Sequence, residues 1–185
     1  MICKPAKKGK VIRMDTNMLN VRKTSENDLP RLLEIYEYAR KMMKENGNPN
    51  QWITYPPEDL VRKDICDGIS YVIESDGRIC GTFVFYIGDD PAYKEINGKW
   101  LNCEDYGVIH RIASDGSRSG ILETAVKYCS KYIPNLKMDT HSDNKIMQHL
   151  LEKNGFVKCG TVNVGSDSDD GMPRIAYQRI NLSEE

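Results

Sequence analysis

Apolar residues recur in this chain at two periods, and the switches between them mark out its elements. Leu29, Leu32, Leu33, Tyr36 and Met43 fall on one face at helical spacing. Ser25 and Asp28 stand just ahead of them as a capping pair, and Pro30 is tolerated because first-turn N–H groups lack intrahelical partners. This first helix should end at Asn46-Gly47-Asn48-Pro49-Asn50, before an irregular loop from Gln51 to Pro56 with two aromatics. A second helix, with Pro57 at its first position, carries Leu60, Val61 and Ile65 on one side and stops at Gly68. Period two takes over in Ile69 to Glu74 and Arg78 to Tyr86, which flank the type I′ signal Asp76-Gly77. Leu19 to Arg22 reads as a short first strand. After Gly88-Asp89-Asp90-Pro91 breaks the sheet, Tyr93 to Trp100 reads as a connection with exposed aromatics.

The stretch from Ile109 to Phe156 organises the rest. Ile109, Arg111 and Ala113 alternate with His110, Ile112 and Ser114, so a strand is predicted with His110 on the face of Ile112 and Ser114. The turn Asp115-Gly116-Ser117-Arg118-Ser119-Gly120 follows, and Ile121, Leu122, Ala125, Val126, Cys129 and Ile133 then recur at helical spacing. Small residues feeding a helix start aim free N–H groups and the positive dipole end at one point, which suits a phosphate; an ordinary glycine turn would look the same. Leu136 to His141 is the next strand. Asp143-Asn144 opens a helix with Ile146, Met147, Leu150 and Leu151 on one face, closed by Gly155. Phe156 to Val164 and Arg174 to Ile180 read as a last hairpin, joined by the acidic loop Gly165 to Pro173.

This assembly resembles the GNAT superfamily of acetyl-CoA-dependent N-acetyltransferases, in which a strand, a loop reading Q/R-x-x-G-x-G/A and a later helix reading N-x-x-A-x-x-x-Y-x-x-x-G-F make up the cofactor half. Here Ile112-Ala113-Ser114 lies on the strand, Ser117-Arg118-Ser119-Gly120-Ile121-Leu122 on the loop, and Asn144, Met147, Leu151, Gly155 and Phe156 on the helix. Ser117 and Leu122 replace the loop's first and last letters, and Leu151 holds the tyrosine position. The resemblance runs from about Leu19 to Ile180. It implies an α+β fold with a mixed, mostly antiparallel sheet of about six to seven strands, flanked by about four helices, with a V-shaped splay between the fourth and fifth strands.

By the same resemblance, the main chain of Ile112, Ala113 and Ser114 would pair with the pantetheine of acetyl-CoA. The diphosphate would rest on N–H groups from Arg118 to Leu122, helped by the Arg118 guanidinium and the Ser117 and Ser119 hydroxyls. Asp115 should point away. Asn144 would hold the pantetheine arm or cap its own helix. Trp52, Tyr55, Tyr93 and Trp100 would line an acceptor pocket.

Composition narrows the partners. At 185 residues, 39% of them hydrophobic, the chain suits one domain from 19 to 182 behind a basic arm of residues 1–18. Lys+Arg 26 against Asp+Glu 27 gives no overall field for nucleic acid or an anionic membrane. Six cysteines without a C-x-x-C pair argue against metal, and with no signal peptide or long apolar run they suggest a reducing cytoplasm. Oligomeric state is open, with a homodimer one possibility.

Acetyl transfer to an amine needs a free-base nucleophile, a proton acceptor and an N–H to polarise the carbonyl. Ser114 or a neighbour is the candidate for that N–H. His110 is the first candidate acceptor, since an imidazole with an ordinary pKa of about 6.5 takes up a proton near neutrality; Glu104, Asp105 and His141 follow. Leucine at 151 cannot protonate the departing thiolate, so Tyr55, Tyr93 or Tyr106 would substitute or the thiolate leaves unaided. Two function classes result: an N-acetyltransferase acting on a small-molecule amine or peptide amino group, or an acyl-CoA-binding sensor without turnover.

Overall fold

The computed structural model describes residues 18–164 and 171–181. The basic arm, Cys3 and most of the acidic loop fall outside them. Among the described residues, one eight-stranded sheet runs in the order β1-β2-β3-β5-β6-β8-β7-β4. Its strands are β1 (Asn20–Lys23), β2 (Ser70–Ser75), β3 (Arg78–Ile87), β4 (Asn97–Gly98), β5 (Gly107–Ser114), β6 (Asn135–Thr140), β7 (Val157–Val162) and β8 (Arg174–Ile180). The helices are α1 (Leu29–Glu45), α2 (Glu58–Cys66), α3 (Ile121–Cys129) and α4 (Lys145–Lys153). Every neighbouring pair is antiparallel except β5 with β6. The expected mixed α+β architecture is therefore present, with the two-residue β4 added.

Local chemistry explains most boundaries. Ser25 and Asp28 form the capping box on a single 3-10 turn that leads into α1. Asp76 and Gly77 both have positive φ, 53° and 73°, as a type I′ turn requires. Pro57 caps α2 in extended conformation, one position before the helix, instead of sitting inside it. Burial then assigns faces. Leu32, Ile35, Tyr36 and Val61 of α1 and α2 pack with Val72 and Ala113 on one side of the sheet. Leu122, Ala125 and Val126 of α3 and Leu151 of α4 pack with Phe83, Phe85, Ile109, Ile112 and Met138 on the other.

Ile109 and Ile112 in one layer, with Ala113 in the opposite one, are incompatible with simple alternation. In the β3–β5 ladder Val84 opposes His110 and Thr82 opposes Ala113, so Phe83 faces two residues, Arg111 and Ile112. That is a β-bulge, and Arg111 sits in it at φ 51°. His110 thus shares its face with Ala113, not with Ile112 and Ser114 as alternation predicted.

Tyr93 is buried, so the connection before β5 does not display its aromatics as expected. It is held instead by backbone contact between β4 and β7. A Cβ on Gly98 would lie 2.2 Å from the Cys159 carbonyl oxygen, and one on Gly160 2.3 Å from that of Asn97. Backbone offers no relief by rotating a side chain. Gly98→Ala is expected to lower stability by about 2 kcal/mol or more and to loosen this segment first, read as a fall in Tm and faster amide exchange at 97–100.

Candidate active site

β5 and β6 pair only at Gly107↔Leu136 and Val108↔Lys137. Beyond that point both strands continue, and two cavities open where the ladder stops. The first, about 330 Å³, is mainly apolar: Tyr38, Ala39 and Met42 of α1 form one wall, Ile112 to Ser114, Gly116, Ile121 and Leu122 a second, and Ile146, Met147 and Leu150 of α4 a third. The second, about 280 Å³, is polar and lies towards Trp52, Tyr55, Tyr86, Asp90, His110, Asp139 and Thr140. Met43, Ile112, Asn144 and Met147 line both, so they mark the junction.

Three carboxamides tie that junction together. Asn144 Oδ1 accepts from the Met147 N–H at 3.0 Å, which caps α4 and fixes the amide's orientation. Its Nδ2 must then donate to Gln51 Oε1 at 3.0 Å, and the same oxygen accepts from Asn48 Nδ2 at 2.7 Å. Asn48 Oδ1 is left as a buried acceptor with no partner among the described residues, on the wall of the apolar groove. A slot with unpaired strand edges, an apolar lining and a buried orphan acceptor fits the amide-bearing arm of coenzyme A.

On the polar side His110 is held between two carboxylates. Its Nε2 lies 2.6 Å from Asp90 Oδ2 and its Nδ1 3.6 Å from Asp139 Oδ1. Asp90 also accepts from Tyr86 Oη at 2.6 Å and from the Ala92 N–H at 2.7 Å. Burial works to raise the Asp90 pKa, but the hydrogen bond and charge of His110, with those two donors, outweigh it and bring it down to about 2. An ionised carboxylate can only accept, so His110 Nε2 carries a proton and donates to Asp90, which leaves Nδ1 on the side of Asp139. Tyr93 Oη donates to Asp139 Oδ1 at 2.6 Å, and burial followed by the Asp139 charge raises the Tyr93 pKa well above its ordinary range. Behind this, the bulge delivers Arg111 to a buried bidentate pair with Asp64 of α2, at 2.9 and 2.8 Å, and to Tyr55 Oη at 2.8 Å.

A model of the acetyltransferase (GNAT) family matches residues 32–156, a span that runs from α1 to the end of α4. The chain belongs to the acetyltransferase (GNAT) family. It is an acyltransferase. Among solved structures it is similar to an acetyltransferase of the GNAT family from Streptococcus agalactiae, 28% identical, TM-score 0.78, covering 89% of this chain and 96% of that one. A GNAT acetyltransferase from Listeria monocytogenes is 18% identical, TM-score 0.65, covering 91% and 98%. A ribosomal-protein-alanine N-acetyltransferase from Brucella melitensis is 18% identical, TM-score 0.57, covering 87% and 99%. These last two share the fold. No curated protein matches the chain in sequence.

Against this GNAT framework, the expected residues divide. Ile112, Ala113, Ser114, Ile121, Leu122 and Asn144 line the apolar groove, and Trp52, Tyr55 and His110 line the polar cavity. Gly120 caps α3 at φ 82°, leaving the first-turn N–H groups of the helix without intrahelical partners. Ser119 is exposed and lines neither space. Arg118 is turned away: it donates to Ser75 Oγ at 3.0 Å and pairs with Asp76 at 3.1 Å, which anchors it to the β2–β3 turn. Ser117 Oγ donates to Asp115 at 2.6 Å, and Asp115 pairs with Arg31, so that carboxylate does point away.

Tyr93 and Trp100 line neither the apolar groove nor the polar cavity: Trp100 Nε1 donates to the Tyr93 carbonyl and its ring covers the Lys137 ammonium. Tyr106 lines neither space; its hydroxyl accepts from the Asp90 N–H at 3.1 Å and its ring also covers Lys137. Leu151 is fully buried in the core. Glu104 and Asp105 are exposed, their carbonyls accept from Asn135 Nδ2 and the Glu104 carboxylate accepts from Asn102 at 3.5 Å, and His141 is buried with Nδ1 accepting from the Asp143 N–H at 3.0 Å. Sequence reasoning missed Asp90, Asp139, Asn48, Gln51 and Arg111. Among the described residues, no helix is long and apolar enough to cross a membrane.

Proposed function

We propose that this acetyltransferase moves an acetyl group from acetyl-CoA directly to an amino group, with His110 Nδ1 as proton acceptor and Asp90 as the residue that orients it. The observation that carries this reading is the junction: a groove suited to the pantetheine arm meets, at Ile112 and Asn144, a polar cavity in which an imidazole presents its lone pair. Bound acetyl-CoA would supply an electrophilic thioester carbonyl and a thiolate leaving group. Ile112 to Ser114 would hold the arm by main-chain bonds, Asn48 Oδ1 would accept from one of its amides, and the α3 N-terminus at Gly120 would receive the diphosphate. Asp90 fixes the tautomer, and His110 takes the proton from the amine before attack.

Calorimetry with coenzyme A, followed by thiol release from acetyl-CoA over a panel of amines, tests this. Saturable binding and thiol release with at least one amine are expected; binding without release for any acceptor would instead favour the sensor. Gly120→Asp is expected to weaken coenzyme A binding at least about 10-fold, and Gly120→Asn, which suits φ 82° without the charge, only slightly. Equal affinities for Asp and wild type would remove the diphosphate from this loop.

A further inference from the structure

We infer that the acceptor is a small primary amine bound as its ammonium ion, received by Asp139; this rests on the reading above and names the substrate class for the same site. Asp139 lies on β6, its side chain 11% exposed, facing the cavity that His110 also lines. One hydrogen bond reaches it, from Tyr93 Oη, and among the described residues no lysine or arginine pairs with it. The other charges have partners: Arg111 is neutralised by Asp64, and Asp90 is engaged by His110 and Tyr86. Arg174, 4% exposed and lining the same cavity, donates to the Met172 carbonyl. A buried carboxylate without a cation, next to an imidazole lone pair, is complementary to an ammonium group.

A second, independent observation points to a ligand here. Thr140 Oγ1, next along the strand and 1% exposed, lines the same cavity without a hydrogen-bond partner among the described residues. Backbone strain gathers here as well. Of the non-glycine residues with positive φ, Asp76 belongs to its turn, whereas Trp52 (59°) and Arg111 (51°) both line this space. Trp52 is braced by Tyr36 and Tyr55 at ring separations of 5.9 and 6.2 Å, so it offers a fixed aromatic wall. With Tyr86 and Met138, this leaves room for a compact apolar or aromatic body behind the ammonium. At about 280 Å³ the cavity suits a small molecule better than the end of a protein chain.

The proton balance closes. The ammonium gives one proton to His110 Nδ1, so that the imidazolium formed lies between Asp90 and Asp139. The freed nitrogen forms the C–N bond as the C–S bond breaks, its second proton passes to the leaving thiolate, and His110 returns the first to water.

The test is calorimetry of 2-phenylethylamine, 2-phenylethanol and an N-terminally free tetrapeptide against the protein saturated with coenzyme A. In wild type the amine is expected to bind at least 10-fold tighter than the alcohol and tighter than the peptide. In Asp139→Asn the preference for amine over alcohol should fall to within about threefold while coenzyme A affinity holds, and Tyr93→Phe, which keeps the carboxylate, should retain it. Equal binding of amine and alcohol by wild type overturns the inference without any variant, as does tighter peptide binding or a preference that survives Asp139→Asn. Because binding is read without turnover, failure of acetyl transfer would appear separately, as no thiol release from acetyl-CoA.

Discussion

His110→Ala is expected to lower kcat by about 10²- to 10⁴-fold, the usual range for loss of a positioned proton acceptor, with coenzyme A affinity unchanged within about twofold. The split follows from geometry: His110 lines the acceptor cavity and not the apolar groove. Added imidazole should restore part of the lost rate by refilling the space with the same base. Asp90→Asn should fall nearly as far. An asparagine amide can donate to Nε2, which forces the proton onto Nδ1 and removes the lone pair from the acceptor side. The double variant should be little worse than either single one, since the two residues act as a unit. Loss of coenzyme A affinity alone, with kcat intact, would remove His110 from the chemistry. The same pair has a pH signature. The Asp90 pKa is lower in the folded chain, about 2, than its ordinary value, so its contribution to stability is complete above about pH 4 and is lost as pH falls towards 2. Acid unfolding of Asp90→Asn should lack that component.

Local signals were legible where the residue and its structural partner are close in sequence. Asp76-Gly77, the Ser25 and Asp28 box and the Gly155 terminus each name their own geometry, since turn and cap chemistry acts over two to four residues. The residues that line the apolar groove were legible for a related reason, being consecutive at Ile112 to Ser114 and close around Asn144. The acceptor side joins distant segments: Asp90 meets His110 across 20 positions, Asp64 meets Arg111 across 47, and Tyr93 meets Asp139 across 46. Period-two reasoning failed at the bulge because one inserted residue reverses every face beyond it. A signal was present all the same. Arg111 is the one Asp, Glu, Lys or Arg in β5, and Asp139 follows Lys137 in a β6 that is mostly buried; a charge so placed needs either a buried partner or a ligand. Counting aromatics misled in the opposite direction: Tyr93 and Trp100 support the site from behind, through Asp139 and Lys137.

Asp64→Ala is expected to destabilise the protein by about 3–5 kcal/mol, which for a chain of this size lowers Tm on the order of 10 °C. Asp64 and Arg111 have side chains only 5% and 13% exposed. Removing the acid therefore leaves a largely buried guanidinium without its counter-charge, whereas water screens an exposed pair such as Lys127 with Glu123. Asp64→Asn keeps one acceptor for the fork and should cost less. Adding Arg111→Gly to Asp64→Ala should recover more than half of the loss, because it removes the stranded charge and places glycine at φ 51°, where a side chain is strained. A double variant as unstable as Asp64→Ala would show that packing, not the uncompensated charge, sets the cost. The functional effect should fall on one side only. Arg111 holds Tyr55 Oη, and Tyr36 Oη donates to the Arg111 carbonyl at 3.2 Å, so the pair fixes the bulge and the aromatic wall of the acceptor cavity. Below its melting range Asp64→Asn should raise KM for the amine several-fold, with coenzyme A affinity unchanged, because the apolar groove is bounded by α1 and α4 and touches neither Asp64 nor Tyr55.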